Sequence, residues 1–521
     1  MFFRNKNILV ITIFVIAFIL RFYGSWVPYF IDDDTDWILF ANSISFNPQN
    51  LCLLPFGSGH GPLTAYLVKI SGILFGENAF GWRILSILCG TFLVVIIYFL
   101  VKNGLGRKEA VFASYLSAVN ILFIFFSRYA TDDMYSLLFF SLSLLYFWLA
   151  LSRKSSFYML FTGVVLGIGL LTKETIALLF PIFFIFILSG KKFRIWFKKK
   201  ELYLSILIAI VISFPYLYWL FTHKMYFFLP EVKEGGQWFN FLNFPSSIVY
   251  LLLGQPHHLF DKDFALGYHY TGPIIGLLCI IGVVYSLKYW KNEFVRLMNL
   301  VFWMFVFCEV LFFKGIPRQF IIIIIPGIIL GSLVLAEIWE KTILSKIVIV
   351  SCSIYFLVYA SVFISRLGTY YYPLHSQISI SLSEKRYLTI DLNHLAREFI
   401  EISKPYNPSL MIFPDSKLDP VDNFVNAYSR VKTIGTSLEN RYLPYNKEDL
   451  RKILIFTISS VKLKKYTNWA NKNNYRFFNV REEIPLRKKQ SFTTEVMLLE
   501  TDNVDEISFE EIDKLVNLSM S

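Results

Sequence analysis

Long apolar runs separated by short basic gaps dominate the first two-thirds of the chain. They lie near residues 8–28, 83–101, 110–127, 134–151, 157–172, 175–190, 202–221, 272–289, 294–313, 319–337 and 346–365. Most approach the about 20 residues a helix needs to cross a bilayer, and they are apolar on every face, unlike the one-sided stripe of a soluble helix. The pattern predicts about eleven transmembrane helices. Lysines and arginines collect in alternate gaps: Lys102, Arg107 and Lys108; Arg153 and Lys154; Lys191 to Lys200; Lys288 and Lys291; Lys341 and Lys346. Basic loops stay in the cytoplasm, so the N-terminus is expected inside. Arg4 and Lys6 precede the first run, which has no small-residue cleavage site and reads as an uncleaved span.

After residue 366 the pattern changes. Short β-like runs (Leu410 to Phe413, Ile453 to Ile458, Tyr475 to Val480, Val496 to Leu499) alternate with helical patterns (Leu392 to Ile402, Asp422 to Arg430, Ser460 to Asn471, Phe509 to Leu518). That order predicts an α/β domain with a mostly parallel sheet. The expected fold is therefore an α-helical polytopic membrane protein, residues 1–365, with a C-terminal soluble α/β domain, residues 366–521. An odd number of spans puts that domain outside the cytoplasm, in a multi-pass protein of the plasma (inner) membrane.

Composition agrees, with 55% hydrophobic and 17% charged residues excluding a water-soluble globule. The net charge of +12 would suit nucleic acid, but its lysines and arginines sit in the short gaps, where they face anionic lipid. No nucleic-acid partner is expected. The five cysteines form no metal-ligand or disulfide spacing.

The chemistry-bearing residues gather on the side opposite the basic gaps. Asp32, Asp33, Asp34 and Asp36, then His60, Arg128, Asp132, Asp133, Lys173, Glu174, Lys314 and Arg318, all fall at the outer ends of different spans. Polar groups converging from several helices on one membrane face have the character of a site. The first outer segment, 29–82, adds two apolar stretches too short to cross, Asp36 to Phe46 and Leu63 to Phe75, expected as interfacial helices.

Several of these stretches resemble the C-type integral-membrane glycosyltransferases, in particular the dolichyl-phosphate-mannose protein mannosyltransferases and the lipid A aminoarabinose transferases. Asp33-Asp34-Thr35-Asp36-Trp37 is similar to that family's first-loop acidic pair followed by an aromatic. His60-Gly61-Pro62-Leu63 and Phe75-Gly76-Glu77-Asn78-Ala79-Phe80-Gly81-Trp82-Arg83 follow in the family's order, and Ser127 to Met134 resembles its second outer loop. Leu171-Thr172-Lys173 and Pro317-Arg318-Gln319-Phe320 are similar to later family motifs. Gly61 stands where some relatives carry a lysine, and the Trp-Trp-Asp signature of oligosaccharyltransferases is absent from the C-terminal part.

The resemblance implies transfer of a sugar from a polyprenyl-phosphate donor to a hydroxyl on a protein, lipid or polysaccharide acceptor, with inversion at the anomeric carbon. Such a reaction needs a carboxylate for the hydroxyl proton and cations for the leaving phosphate. By this analogy Asp33 is the expected base, with Asp34 and Asp133 as further catalytic candidates. Repulsion from Asp34 and Asp36 would raise the proton affinity of Asp33. Lys173 and Arg318 are the expected phosphate clamps, Arg83 and Arg128 the weaker ones. Asp36, His60 and His258 are candidate substrate-binding residues. Asp33 with Asp133 is a candidate site for a divalent cation, Mg or Mn given carboxylate ligands. His257-His258 has no further zinc ligands nearby in sequence, and Gly235-Gly236-Gln237-Trp238 is a candidate lid. A transporter or lipid flippase, or a non-catalytic scaffold of a glycan-assembly complex, is the competing reading. A transporter would show mid-span charges and internal repeats, and the charges here lie at span ends.

Overall fold

The computed structural model describes residues 6–26, 32–43, 61–222, 273–312, 321–367, 377–383, 386–413, 432–434, 451–457, 460–472, 475–486 and 490–501. Helices occupy all eleven apolar runs. α1 is Lys6–Phe22; after it, α2 (Asp32–Ser43) and α3 (Leu63–Phe75) form the expected short pair of the first loop. The bundle continues with α4 (Ala79–Gly104), α5 (Arg107–Val119), α6 (Ile121–Ser127), α7 (Asp132–Arg153), α8 (Ser156–Leu170), a 3-10 turn Glu174–Leu178 running into α9 (Leu179–Ser189), and α10 (Lys200–Thr222). α11 (Pro273–Ser286), α12 (Glu293–Phe312), α13 (Ile321–Lys341) and α14 (Ile343–Leu367) complete it.

Among the described residues, five helices are long and apolar enough to cross a membrane, and a sixth span results if α5 and α6, bent by 56° at Asn120, count as one. The remaining apolar helices are shorter. Where these helices face outward they remain apolar. Ile8, Ile11, Val15 and Ile19 of α1 are exposed at three- and four-residue steps, as are Ile343, Ile347, Val350, Ile354 and Val358 of α14. A water-facing stripe of that kind would be an aggregation site, whereas lipid is a matching solvent for it. Inside, glycines let the helices approach: a Cβ on Gly282 of α11 would stand 2.3 Å from the Gly331 nitrogen of α13.

The helix α2 begins at Asp32, four residues ahead of the apolar spacing that predicts it. The physical reason is the helix dipole, which favours carboxylates in the first turn. Residues 37 to 41 of α2 are all buried, so protein encloses it on every face.

The C-terminal part contains an antiparallel pair, β1 (Gln377–Ser383) with β2 (Arg386–Asp391), then α15 (Leu392–Ser403), β3 (Leu410–Ile412), β4 (Lys432–Ile434), β5 (Lys452–Thr457), α16 (Ser460–Lys472), β6 (Arg476–Leu486) and β7 (Gln490–Glu500). The helical patterns at 422–430 and 509–518 lie outside the described residues. The larger sheet has the order β4-β3-β5-β7-β6. Its β4, β3 and β5 strands run parallel, while β5, β7 and β6 pair antiparallel. The expected mostly parallel sheet is thus a mixed one. Only three residues separate β6 from β7, too few for the crossover that a parallel pair requires. One sheet face, with Met411, Phe413, Leu454, Phe456, Val496 and Leu498, joins Phe399 of α15 in an apolar cluster that continues into Trp37 and Phe40 of α2. The sheet therefore packs into the same core as the acidic helix of the first loop.

Candidate functional site

The stretch from Phe75 to Arg83 is an architectural device, and each of its small or polar residues has a physical task. α3 stops at Gly76, whose φ of +96° suits glycine. Asn78 then caps α4, its side-chain oxygen accepting from the Gly81 N–H at 3.0 Å. Gly81 must lack a side chain, because a Cβ there would stand 1.6 Å from the Gly76 carbonyl oxygen. The Ser71 hydroxyl donates to the Gly81 carbonyl at 2.5 Å, tying α3 to the start of α4. One turn into α4, this geometry delivers Arg83 to Asp34.

The Arg83 and Asp34 side chains are 3% and 0% exposed. Arg83 donates from Nη2 and Nε to Asp34 Oδ2, at 2.6 and 3.2 Å, and from Nη1 to the Ser25 carbonyl at 3.2 Å. The other carboxylate oxygen of Asp34, Oδ1, accepts the Ala130 N–H at 2.6 Å. The guanidinium also lies 5.0 Å from the Tyr129 ring centre. Burial pushes the Tyr129 phenol above its ordinary value, against the opposing pull of Arg83 and Arg128. Asp34 is thus the link between α2 and the turn 128–131.

That turn follows α6 and carries Arg128, buried close to Gly24: a Cβ on Gly24 would come within 3.0 Å of Arg128 Nη2. Gly24 itself has φ +76°. α7 then opens with Asp132 and Asp133 in its first turn, where the dipole favours them. Lys173 bridges both, its Nζ 2.9 Å from Asp132 Oδ2 and 2.9 Å from Asp133 Oδ1. The end of α8 aims this lysine: the N–H groups of Thr172 and Lys173 and the Thr172 hydroxyl all bond the Gly169 carbonyl, and Lys173 leaves in extended conformation.

Gly61 accounts for one departure from the family pattern. The Leu63 N–H donates to the Leu171 carbonyl at 2.9 Å, and a Cβ on Gly61 would stand 2.2 Å from that same oxygen. A lysine does not fit at 61 with this backbone. The contact fixes the start of α3 directly beside the turn that holds Lys173.

The structure therefore brings Asp34, Arg83, Arg128, Asp133 and Lys173 to one end of the bundle, with Asp36 half-buried on α2. Asp33 is the second residue of α2, next to Asp34. His60, His258 (with His257), Arg318, Lys314 and residues 235–238 lie outside the described residues. Three participants escaped the sequence reading of roles: Asp132, Tyr129 and the Ala130 N–H. All sit in the Ser127 to Met134 stretch that the sequence singles out, but a backbone donor leaves no sequence signal.

The side chain of Asp33, half of the expected Asp33 and Asp133 cation site, lies outside the described residues. The Lys173 ammonium occupies the position between Asp132 and Asp133, and among the described residues no group of three or more His, Cys, Asp or Glu is arranged to hold a metal.

Residues 59–219 match the dolichyl-phosphate-mannose-protein mannosyltransferase family. The chain is 23% identical over 292 residues to an uncharacterised protein of Aquifex aeolicus, covering 55% of this chain and 54% of that one. It is 30% identical over 231 residues to undecaprenyl phosphate-alpha-4-amino-4-deoxy-L-arabinose arabinosyl transferase 2 of Pseudomonas fluorescens, covering 40% of this chain and 39% of that one. The match thus spans about half and two-fifths of these curated relatives. Among solved structures, ArnT from Cupriavidus metallidurans bound to undecaprenyl phosphate aligns with a TM-score of 0.60 at 12% identity, over 96% of this chain and 99% of that one. The oligosaccharyltransferase of Archaeoglobus fulgidus aligns with a TM-score of 0.53 at 13% identity, over 93% and 72%. The fold is that of these membrane proteins.

Proposed function

We propose that this chain, whose family match and fold group it with the C-type membrane glycosyltransferases, moves a sugar from a polyprenyl phosphate to an acceptor hydroxyl at the outer face of the membrane. The observation that carries the reading is the buried set of Asp34, Arg83, Arg128, Asp132, Asp133 and Lys173 at one end of the bundle. Three acids and three bases withdrawn from water are unfavourable to assemble for stability alone. Such a set is suited to fixing geometry around charge that moves during a reaction.

In this reading the anomeric carbon is attacked on the face opposite the phosphate, so the new bond inverts the centre. Asp33 accepts the acceptor hydroxyl's proton as its oxygen closes on that carbon. Asp34 and Asp133 are already engaged with Arg83, Ala130 and Lys173, which supports assigning the base to Asp33. Pairing with Arg83 also offsets the charge of Asp34, weakening the repulsion expected on Asp33. Lys173 and Arg128, with Arg318, receive the charge that builds on the leaving phosphate. Arg83 serves instead to place Asp34 and, through it, α2. The reading takes eleven crossings, a cytoplasmic N-terminus in the inner membrane and an extracytoplasmic C-terminal domain, residues 366–521, packed against α2.

The test is sugar transfer by the purified protein in lipid nanodiscs, supplied with radiolabelled polyprenyl-phosphate sugars and with lipid, peptide and polysaccharide acceptors. Label moving from donor to any acceptor hydroxyl, with inverted configuration, is expected. No transfer from any donor, with lipid transport in proteoliposomes instead, would replace this reading with the flippase.

A further inference from the structure

Arg21 is fully buried in the helix bundle, and no carboxylate partners it among the described residues. A guanidinium in that position needs a physical reason, and the neighbouring helix supplies it. α5 ends at Val119, Asn120 turns to extended backbone, and α6 starts afresh with the Asn120 side chain accepting from the Phe123 N–H at 3.1 Å. The break strands carbonyls at the end of α5 in a region without water. Arg21 Nη1 donates to the Ala118 carbonyl at 3.0 Å and Nη2 to the Ser117 carbonyl at 3.1 Å, while Nη1 also bonds Ala17, one turn back in its own helix, at 3.0 Å. The cation thus meets the negative dipole ends of two helices, α1 and α5, in place of a counter-ion.

The residues that follow the break are those of the candidate site. α6 is only seven residues long, and the turn after it holds Arg128 and the Ala130 N–H that bonds Asp34. Gly90 of α4 presses on both ends of this unit: a Cβ there would stand 2.0 Å from Ser127 Oγ and 3.2 Å from Arg21 Nε.

We propose that Arg21 is a positioning residue for sugar transfer: it clamps the α5–α6 break at its 56° bend and so sets where the 128–133 turn meets α2. The inference rests on the proposed function for its kinetic consequence and on the hydrogen bonds alone for the clamp. A displacement of about 1 Å at a reacting centre lowers turnover by about a hundredfold.

The experiment is amide hydrogen exchange on the full-length protein in nanodiscs, alongside donor KM and kcat, for wild type, Arg21→Met and Arg21→Lys. Arg21→Met is expected to raise exchange at least tenfold across 117–131 while α11 to α13 keep wild-type protection. Its kcat should fall tenfold or more, with donor KM within threefold. Arg21→Lys, which keeps the charge and a donor, should recover at least half of the lost protection on a logarithmic scale, and most of kcat. Unchanged exchange across 117–131, or a rise spread evenly over all helices, would overturn the clamp. If Arg21→Met does not fold, Arg21→Lys decides: a rise confined to 117–131 supports the clamp and wild-type exchange there removes it. Should wild type transfer no sugar, the proposed function fails while the exchange result still decides the clamp.

Discussion

At one end of the bundle the Lys173, Asp132 and Asp133 side chains are 7%, 1% and 0% exposed and those of Arg83 and Asp34 3% and 0%. At the other end Lys108 pairs with Glu340, their side chains 31% and 65% exposed, and Lys192 pairs with Glu293, at 63% and 24%. Both ends pair a cation with a carboxylate, and the physical states differ. Exposed pairs are screened by water and salt and contribute little. Buried pairs lose their hydration, and removing either partner leaves a charge that the interior cannot accommodate. The comparison teaches that charges at the exposed end stay solvated, whereas those at the buried end hold one another in fixed geometry.

Arg83→Met should have the largest effect, because it removes both guanidinium hydrogen bonds from the buried Asp34 carboxylate. A loss of about 3–5 kcal/mol is expected, read as a fall in thermal unfolding temperature in detergent, and wild-type stability would show that the pair is idle. Lys173→Met comes next. It leaves the buried Asp132 and Asp133 carboxylates together without the cation that bridges them, so a loss of about 3 kcal/mol is expected, again read as a fall in unfolding temperature. Wild-type stability would mean that the two acids do not depend on Lys173.

Gly61→Ala is expected to lower stability by about 1–3 kcal/mol, since its Cβ meets the Leu171 carbonyl at 2.2 Å and the backbone must shift. The smallest effect belongs to Lys108→Ala, below about 1 kcal/mol. A loss from Lys108→Ala as large as from Arg83→Met would abolish the distinction between the two ends.

The helical runs and the sidedness of the charges were legible because both are one-dimensional patterns: apolar length and the alternation of basic gaps. Positions of the motifs were legible too, but their tasks were not. Arg83 reads in sequence as a cation near a phosphate, and its engagement with Asp34, 49 positions away, is a contact that no local pattern encodes. Gly61 reads as a missing ligand until the Leu171 carbonyl appears beside it. The strands β1 and β2 leave a weak signal: Ile378 and Ile380 alternate with serines, but the stretch is short and half polar. The β6–β7 hairpin was half visible: Tyr475 to Val480 and Val496 to Leu499 carry strand patterns, but the polar residues between them hide that both strands extend to a three-residue link.

The most direct measurement of the central claim is the rate of sugar transfer from a polyprenyl-phosphate donor by Asp33→Asn, set beside wild type and Glu340→Gln in the same nanodiscs. Asparagine keeps the shape of the side chain and cannot take the acceptor proton, so the rate should fall by about 10²–10⁴ with the unfolding temperature held, while Glu340→Gln transfers at the wild-type rate. Transfer by Asp33→Asn at the wild-type rate would contradict the account.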